Sequence, residues 1–347
     1  MKIKIKNKYI GKQEPCFIIA ELSANHLQKF ELAVDTIKAA KEAGADAIKL
    51  QTYTPDTITI DSDNEYFKIR GTLWEGKTLY DLYKEAYTPW EWQPKLQKLA
   101  EELNLIFFSS AFDKTAVDFL ENLNVPAYKI ASFEITDIPL IEYIASKGKL
   151  IIMSTGIATL ADIEEAVNAC KRMGNEQVIL LKCTSAYPAP IEEANLLTIS
   201  NMSETFGKIV GLSDHTLGST VAIASIALGA KVIEKHFILD RNLGGPDAAF
   251  SMEPAEFKEM VKSVRDVEKA LGKFSYEISE KVEKSRVFAR SLFVVKDIKA
   301  GELISEENVK SIRPGYGIHP KYLKEIIGKK IRKDVNKGTP FGWGLIG

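Results

Sequence analysis

The chain has 347 residues, with 46 Lys and Arg against 47 Asp and Glu, which leaves a formal net charge of −1. This balance excludes the broad positive field with which proteins attract nucleic acid or an anionic membrane, so any anionic ligand would have to be held locally. With 45% hydrophobic and 27% charged residues, the composition is that of a globular protein that can build a large core.

The cysteines and the N-terminal segment indicate a cytoplasmic location. Cys16, Cys170 and Cys183 are too few for a disulfide framework, and they lack the CxxC spacing of a zinc site. The opening segment MKIKIKNKY alternates like a β-strand and has no apolar region of the kind found in secretory signals. The longest apolar stretch, Val221 to Ala230, is too short to span a bilayer.

Eight short apolar runs recur along the chain, separated by segments with apolar residues at helical spacing, which predicts repeated βα units and a parallel sheet. The predicted strands end near Glu21, Gln51, Ser110, Ile130, Ser154, Lys182, Ser213 and Phe237. The predicted helices include Leu32 to Ala43, Pro94 to Leu103, Thr115 to Leu123, Leu160 to Met173 and Val221 to Leu228. Because the sequence has no GxGxxG or Walker motif, it favours a (β/α)8 TIM barrel over an open doubly wound sheet.

The chain is predicted to contain two domains. The barrel takes residues 1–272, and its segment 52–88 is too long for a plain βα connection, which indicates a functional insertion at the carboxyl ends of the strands. Residues 273–288 form a charged linker. Residues 289–347, with short strands and many Lys and Gly, form a separate small domain whose positive charge is equally typical of a solvated surface.

Almost every predicted strand ends in polar residues, which in a barrel face the active site. A strand-end serine often only caps the next helix, and a lysine can simply pair with a neighbouring glutamate. However, lysines inside an apolar barrel are costly unless they meet anions. Lys49 and Lys129, with Lys235 as a third candidate, therefore predict a phosphate or carboxylate ligand.

Two of the four histidines, His215 and His236, end neighbouring strands, with His26 as a candidate third neighbour. This placement suits a divalent metal with open coordination positions, but hydrogen-bonded histidines or a general acid and base pair remain alternatives. Asp247, in a Gly-Pro turn, and Tyr187 suit hydrogen bonds to sugar hydroxyls.

A set of motifs in order along nearly the whole chain resembles the sialic acid synthase (NeuB) family. The motifs are IIAELSANH at 18–26, KLQTY at 49–53, AYKIASFE at 127–134, IMSTG at 152–156, CTSAYPAP at 183–190, GLSDHT at 211–216, EKHF at 234–237, and GGPD with SMEP at 244–254. The C-terminal segments KDIKAGELI and IRPGYGI resemble the antifreeze-like (SAF) domain that these synthases carry.

The resemblance implies an enzyme that condenses phosphoenolpyruvate with an acylamino sugar and releases phosphate by C–O cleavage. It implies Mn or Mg at His215 and His236, and Glu21 and Glu134 are the candidates for proton transfer. It further implies a domain-swapped homodimer in which Arg313 reaches the partner's sugar site. Phosphoenolpyruvate would contact Lys49, Ser110, Lys129, Ser154, Ser185 and Ser213, and the sugar would contact Gln51, Tyr187 and Asp247.

Within the family, LSANH, the aromatic insertion and GGPDAAFSMEP are most similar to the pseudaminic acid synthase branch, whose acceptor is a 2,4-diacetamido-2,4,6-trideoxy hexose. N-acetylneuraminate and legionaminate synthases are the alternatives with the same chemistry. The motif CTSAYP departs from the usual CTNxYP, so Ser185 replaces an amide at the phosphate position. The insertion's aromatic residues could contact the acceptor or could pack a small core of their own.

Two other classes of function fit the residues less well. A Schiff-base aldolase would also use strand-end lysines in a barrel, but it would not depend on a metal. A non-catalytic module that binds sugar or a lipid surface would explain the basic C-terminal segment, but it would not need convergent lysines beside two histidines.

Overall fold

Eight parallel strands close into a barrel in the computed structural model, which describes residues 1–347. A hairpin of β1 (Lys2–Ile5) and β2 (Lys8–Gly11) precedes the barrel. The barrel strands are β3 (Phe17–Glu21), β4 (Ala47–Thr52), β5 (Ile106–Ala111), β6 (Ala127–Ile130), β7 (Leu150–Ser154), β8 (Val178–Cys183), β9 (Ile209–Asp214) and β10 (Val232–His236). Each strand pairs with the next, and β10 closes the barrel against β3. The predicted barrel is confirmed, and each predicted strand end lies within one residue of the observed one.

Helices surround the barrel strands, most of them on the outside of the barrel and two of them in segment 52–88. They are α1 (Phe30–Glu42), α2 (Pro55–Ile58), α3 (Leu79–Ala86), α4 (Gln93–Glu102), α5 (Lys114–Asn122), α6 (Ile138–Ala145), α7 (Leu160–Arg172), α8 (Thr198–Phe206), α9 (Thr220–Ala227) and α10 (Pro254–Leu271). Side-chain caps fix the starts of some of them: Asp113 accepts from backbone N–H groups of α5, and Thr159 forms a capping box with Asp162 in α7. No helix combines the length and the apolar composition that crossing a membrane requires.

The barrel interior changes from apolar to polar along the strands. Phe17, Ile19, Phe108 and Ile152 belong to an interior cluster that also contains three isoleucines of the β1–β2 hairpin. The hairpin therefore closes the amino-terminal end of the barrel with apolar side chains. The functional groups are left at the opposite end, where the carboxyl ends of the parallel strands meet.

Segment 52–88 contains α2 and α3 and returns to the barrel at α4. Leu82 of α3 is buried, whereas Tyr66 is 90% exposed. The aromatic residues of this insertion are thus divided between solvent and the carboxyl-terminal end of the barrel, as the site geometry below shows.

The chain forms two compact units, Met1–Gly272 and Lys273–Gly347. The second unit contains α11 (Glu280–Ser285), β11 (Ser291–Val294), β12 (Val309–Ile312) and α12 (Leu323–Ile326), with β11 and β12 antiparallel. Its core includes Leu292, Val294, Val309 and Phe341. In the linker before β11, Phe274 and Tyr276 are fully exposed.

Candidate active site

The polar residues predicted at the strand ends lie on one face of the strands, the barrel interior. Side chains alternate between the two faces of a strand. On β4, Ala47 faces the interior cluster, so Lys49 and Gln51 share its face. On β10, Val232 does the same, so Glu234 and His236 face inward while Lys235 faces outward. The inward polar layer comprises Glu21, Lys49, Gln51, Ser110, Lys129, Ser154, Ser213, Glu234 and His236.

Two buried lysines lie between two buried carboxylates in this layer. Lys49 Nζ is 2.7 Å from Glu21 Oε2 and 3.6 Å from Glu234 Oε1. Lys129 Nζ is 3.6 Å from the same Glu234 oxygen. Burial raises the pKa of Glu21 to about 7, although Lys49 opposes this. Burial alone would also raise the pKa of Glu234, but Lys129 and Lys49 outweigh it and lower the value to about 2.

The lysines are therefore paired with glutamates, as the alternative interpretation of the sequence states, but the pairing does not neutralise the cluster. If Glu21 is protonated near neutral pH, the two cations Lys49 and Lys129 face only one carboxylate, that of Glu234. An anionic ligand would then neutralise the remaining positive charge. Hydroxyl groups surround both cations: Lys49 Nζ donates to Ser110 Oγ at 3.1 Å, and Lys129 Nζ donates to Ser154 Oγ at 2.7 Å. This combination of ammonium and hydroxyl groups suits an anion's oxygen atoms.

A second group of hydroxyls lies at the ends of β6, β7 and β8. Ser185 Oγ is buried and has no hydrogen-bond partner, which is costly unless a ligand supplies one. Ser132 Oγ accepts from the backbone N–H of Gly156 at 3.1 Å. A Cβ at Gly156 would lie 2.1 Å from Ser185 Oγ, so only glycine leaves room for this hydroxyl. Ser132 was not among the predicted residues.

The two histidines predicted as metal ligands are neighbours, with ring centroids 5.3 Å apart. His215 Nδ1 lies 3.0 Å from the carbonyl oxygen of Thr184, which orients the ring and leaves Nε2 for a ligand. Nδ1 of His236 is buried without a hydrogen-bond partner, at 3.5 Å from Asp247 Oδ2. Burial lowers the pKa of His236, so this ring is neutral, as metal binding requires.

These residues fit a metal that keeps open coordination positions. The chain has no group of three or more His, Cys, Asp and Glu side chains in a metal-binding arrangement, so the protein would supply two imidazoles and leave the other positions to substrate or water. Cys183 Sγ, 3.8 Å from His215 Nδ1, raises the pKa of His215 against the effect of burial. A metal at His215 would therefore compete with a proton for the ring nitrogen.

A cavity of about 300 Å³ opens at the carboxyl-terminal end of the barrel. Gln51, Glu134, Tyr187, His236 and Asp247, all predicted site residues, line it. Because Lys49 and Glu234 precede Gln51 and His236 by two residues on the same strands, the lysine and glutamate cluster lies one layer deeper than this cavity. The structure thus brings the predicted sugar contacts together above the predicted phosphate contacts.

The two candidate proton-transfer residues differ in their surroundings. Glu21 is paired with Lys49, and its Oε1 accepts from Gln51 Nε2 at 3.2 Å. Glu134 lines the cavity, and its Oε2 is buried without a hydrogen-bond partner. Burial raises the pKa of Glu134 to about 7, with Lys129 opposing. Glu21 Oε2 and Glu234 Oε2 also lack a hydrogen bond, but both carboxyl groups are ion-paired with lysine, so Glu134 is the one of the three without an ion pair.

His26 does not join the histidine pair, so its assignment as a third neighbour is wrong. Its Nδ1 accepts from the backbone N–H of Gln28 at 3.1 Å, and its Nε2 lies 3.2 Å from Thr88 Oγ1. The ring also packs edge-on against Trp92. His26 instead joins the first βα loop to the chain before α4.

Lys235 also lies outside the cavity, which corrects its assignment as a third anion-binding lysine. Its side chain is fully buried on the outer face of β10, where Nζ is 2.8 Å from Asp214 Oδ2 and donates to the Thr216 carbonyl at 2.6 Å. The prediction grouped Lys235 with the inward-facing lysines because it lies at a strand end, although the alternation of side chains along β10 places it behind the barrel wall.

Replacing Lys235 with methionine should reduce stability without affecting ligand binding. The change leaves Asp214 buried without its cation, so the unfolding free energy of the barrel should fall by about 3 kcal/mol. Urea unfolding measures this loss. Lys182→Met is the control, because Lys182 is half-buried and donates only to Cys183 O and Thr184 Oγ1. An unchanged unfolding midpoint with a raised KM for an anionic substrate would contradict the structural role.

Arg313 belongs to the second unit, directly after β12, with an exposed side chain. It is the one predicted site residue outside the barrel unit.

Comparison with protein families matches most of the chain to two family models. The NeuB family model matches residues 36–276, and the SAF domain model matches residues 289–346. The chain belongs to the NeuB family. The predicted resemblance is confirmed, and the second unit contains the family's SAF domain.

Individual relatives cover nearly the full length. The chain is 51% identical over 328 residues to pseudaminic acid synthase of Helicobacter pylori, covering 94% of this chain and 96% of that protein. It is 37% identical to N,N'-diacetyllegionaminic acid synthase of Legionella pneumophila, covering 96% and 95%. The crystal structure of N-acetylneuraminic acid synthetase from Leptospira borgpetersenii in complex with citrate superimposes with a TM-score of 0.74 at 32% identity, covering 82% of this chain and 95% of that one.

Proposed function

We propose that this protein is a pseudaminic acid synthase, which condenses phosphoenolpyruvate with 2,4-diacetamido-2,4,6-trideoxy-altrose and water to give pseudaminic acid and phosphate. The proposal rests on two layers of side chains at the carboxyl-terminal end of the barrel. The deeper layer is the buried cluster of lysines and serines. Above it lies the cavity lined by Glu134, Tyr187, His236 and Asp247. The 51% identity to the Helicobacter pylori enzyme supports the choice of acceptor.

In this proposal phosphoenolpyruvate occupies the deeper layer. Lys49 and Lys129 neutralise its carboxylate and phosphate, while Ser110 and Ser154, already bonded to the lysines, offer hydrogen bonds to its oxygens. The unpartnered Ser185 hydroxyl donates to the phosphate in place of the amide found in other family members. Ser213, which donates to Glu234 Oε1 at 3.1 Å, completes this side.

The sugar occupies the upper cavity with its aldehyde toward the histidine pair. Gln51, Tyr187 and Asp247 offer polar atoms for its hydroxyl and amide groups. His215 and His236 would hold Mn or Mg, which when bound supplies Lewis-acid polarisation of the aldehyde oxygen. Fixing both substrates in adjacent layers converts their reaction into an effectively unimolecular step.

The bond changes then follow from this placement. C3 of phosphoenolpyruvate attacks the aldehyde carbon, which leaves C2 as an oxocarbenium-like ion, and water then adds to C2. Collapse of the tetrahedral intermediate breaks the C–O bond to phosphate. Glu134, protonated below about pH 7, donates a proton to the aldehyde oxygen, and its carboxylate accepts one from the added water. Glu21, tied to Lys49, is a positioning residue.

The test is to supply phosphoenolpyruvate with N-acetylmannosamine, the 2,4-diacetamido-trideoxy altrose or its mannose counterpart, and to measure phosphate release. We expect the altrose compound to give the highest kcat/KM. Preference for another acceptor would replace the proposed product by a neuraminate or legionaminate while keeping the chemistry. Phosphoenolpyruvate labelled at its bridging oxygen should lose the label with phosphate.

The relatives are named as synthases, so the interpretation as a non-catalytic module has no support. A Schiff-base aldolase would need a neutral lysine. Glu21 and Glu234 outweigh burial and raise the pKa of Lys49, whereas burial lowers the pKa of Lys129, so Lys129 is the lysine that a Schiff base would use. Borohydride with a keto acid tests this, because the proposed synthase should stay active and an aldolase would be inactivated.

We also propose a cytoplasmic, domain-swapped homodimer. The three cysteines are free and buried, which fits a reducing compartment. The apolar side chains of Phe274 and Tyr276, fully exposed in the linker, would be covered by a second chain. Arg313 of one chain would then bind the sugar in the other chain's barrel.

Co-expression of two inactive subunits tests this exchange of Arg313. A subunit carrying Arg313→Ala and one carrying His236→Ala each lack one component. In a swapped dimer the mixed species contains one intact site, so about a quarter of the wild-type activity should return for random pairing. The two variants expressed separately and mixed as folded dimers are the control. Activity no higher than in the separate variants would contradict the swap.

A further inference from the structure

Backbone strain is concentrated in the first βα loop, residues 22–29 between β3 and α1. Seven residues other than glycine have φ in the left-handed region, and three of them, Ser23, Leu27 and Gln28, lie in this loop at φ +47°, +49° and +53°. Three others are asparagines, which adopt this conformation readily, and the last, Lys6, is in the turn of the β1–β2 hairpin. Strain of this kind clusters where a side chain has a function and persists when surrounding contacts hold it.

Contacts with the loop after β10 hold the first βα loop in place. Leu27 packs so closely on Gly245 that a Cβ there would lie 2.7 Å from Leu27 Cδ2. Asn25 Nδ2 donates to Ser251 Oγ at 2.8 Å, which in turn donates to the carbonyl oxygen of Asp247 at 2.7 Å. The first βα loop is therefore fixed against the loop that carries Asp247.

The strained residue Ser23 lies buried beside the cavity and places two polar groups there. Ser23 Oγ accepts from Gln51 Nε2 at 2.9 Å, and the N–H of the next residue, Ala24, donates to Asp247 Oδ2 at 3.4 Å. Burial would raise the pKa of Asp247, but His236 and the nearby hydroxyl of Ser23 outweigh it and lower the pKa. One strained residue thus acts on two of the predicted sugar contacts.

The orientation of the Gln51 amide depends on these contacts. Its nitrogen donates both to Ser23 Oγ and to Glu21 Oε1, the latter at 3.2 Å. With two acceptors on the nitrogen, the amide oxygen is left for a ligand. An amide without such acceptors could turn over and present either its oxygen or its nitrogen to the cavity.

We propose that Ser23 is a positioning residue, whose hydroxyl holds Gln51 and Asp247 in the orientation that receives the sugar. The inference rests on the proposed function, which assigns those two residues to the sugar. Glycine would adopt the backbone conformation of Ser23 freely, but it has no hydroxyl to offer. The chain therefore retains an unfavourable conformation at this residue in exchange for a site that is preorganised before the sugar binds.

Ser23→Gly and Ser23→Ala separate the effect of the hydroxyl from that of the backbone. Both lose the hydroxyl, so both should raise the KM for the sugar about tenfold and leave the KM for phosphoenolpyruvate, which binds in the deeper layer, unchanged. Only glycine relieves the strain, so Ser23→Gly should melt about 3 °C above Ser23→Ala, which reverses the usual order of these two residues. If Ser23 had only a structural role, the more stable variant would also have the lower KM.

Lys6 provides the matched control, because it has nearly the same φ, +48°, in a hairpin turn at the opposite end of the barrel. Lys6→Gly should likewise melt about 3 °C above Lys6→Ala. The KM for both substrates should equal that of the wild type in both Lys6 variants.

Hydrogen exchange measures the positioning without any substrate. Amides in the loop after β10 are protected because the Ser251 N–H donates to the carbonyl oxygen of Ala248 and the Met252 N–H to that of His236. If the Ser23 hydroxyl helps to hold this loop, exchange in residues 244–252 should be about fivefold faster in Ser23→Ala than in the wild type. Lys6→Ala should leave exchange in these residues unchanged.

The outcomes separate this inference from the proposed function. The assays use whichever of the three acceptors named above the wild type turns over best, so a wrong acceptor in the proposed function does not affect the test. If none of them releases phosphate, the proposed function fails, and hydrogen exchange alone decides the role of Ser23.

Two results would overturn the positioning role. Unchanged exchange in residues 244–252 would contradict it, and together with a raised KM it would mean that Ser23 binds the sugar directly. A KM for the sugar that returns to the wild-type value in Ser23→Gly would also contradict it, because the hydroxyl would then not be needed.

Discussion

Replacing His236 with alanine should lower the turnover of phosphoenolpyruvate and sugar by at least about 10³-fold. His236 supplies one of the two imidazoles that meet at the cavity, and the chain offers no third ligand that could substitute for it. Its buried Nδ1 makes no hydrogen bond and lies 3.5 Å from Asp247 Oδ2. The loss should appear in kcat, because the aldehyde would lack polarisation in the transition state.

The measurement is phosphate release after treatment with EDTA and again after addition of Mn or Mg, together with calorimetric titration of the metal. Wild-type enzyme should regain activity with metal, whereas His236→Ala should bind the metal weakly and regain little. His319→Ala is the control, because His319 is exposed in the second unit. Full wild-type activity in EDTA would contradict the metal proposal.

The sequence predicts the inner layer of the site well because that layer follows from two regular features, the period of two along a strand and the meeting of strand ends in a barrel. Lys49, Lys129 and His236 satisfy both. Lys235 shows why both features are needed. It lies at the end of a strand, but its side chain points to the outer face, where it pairs with Asp214 behind the barrel wall. The same alternation identifies Glu234, which lies on the same face of β10 as His236 and was left out of the predicted site.

Other parts of the site could not be predicted in this way because loops place them. Ser132 lies in a short turn after β6, and its hydroxyl is identified only by the bond from Gly156. Phe112 and Phe133 follow strands on neighbouring loops, and Ile58 comes from the insertion. These three residues line the same cavity because of the path that each loop takes, and the spacing of apolar residues does not predict that path. The aromatic content of the insertion was the one available signal, and Tyr66 shows that it does not distinguish cavity from solvent.

The pH dependence of the reaction should identify Glu134 as the proton donor. Its pKa is raised to about 7, first by burial and with Asp137 adding to the effect, while the charge of Lys129 opposes it. The donor must be protonated, and the protonated fraction decreases as pH rises through this value. The rate should therefore be highest below pH 7 and fall with increasing pH above it. Glu134→Gln should lower kcat by about 10²-fold or more and remove this falling limb.

Glu21 provides the decisive comparison, because burial raises its pKa to about 7 as well. Its carboxylate is paired with Lys49 and bonded to Gln51, whereas Glu134 Oε2 has no partner within the protein. Glu21→Gln should thus weaken phosphoenolpyruvate binding through Lys49 but retain the falling limb. Profiles of kcat against pH for the wild type and both variants distinguish the two residues. A limb that persists in Glu134→Gln and disappears in Glu21→Gln would assign the proton transfer to Glu21, and the free carboxyl of Glu134 would then serve only to bind the sugar.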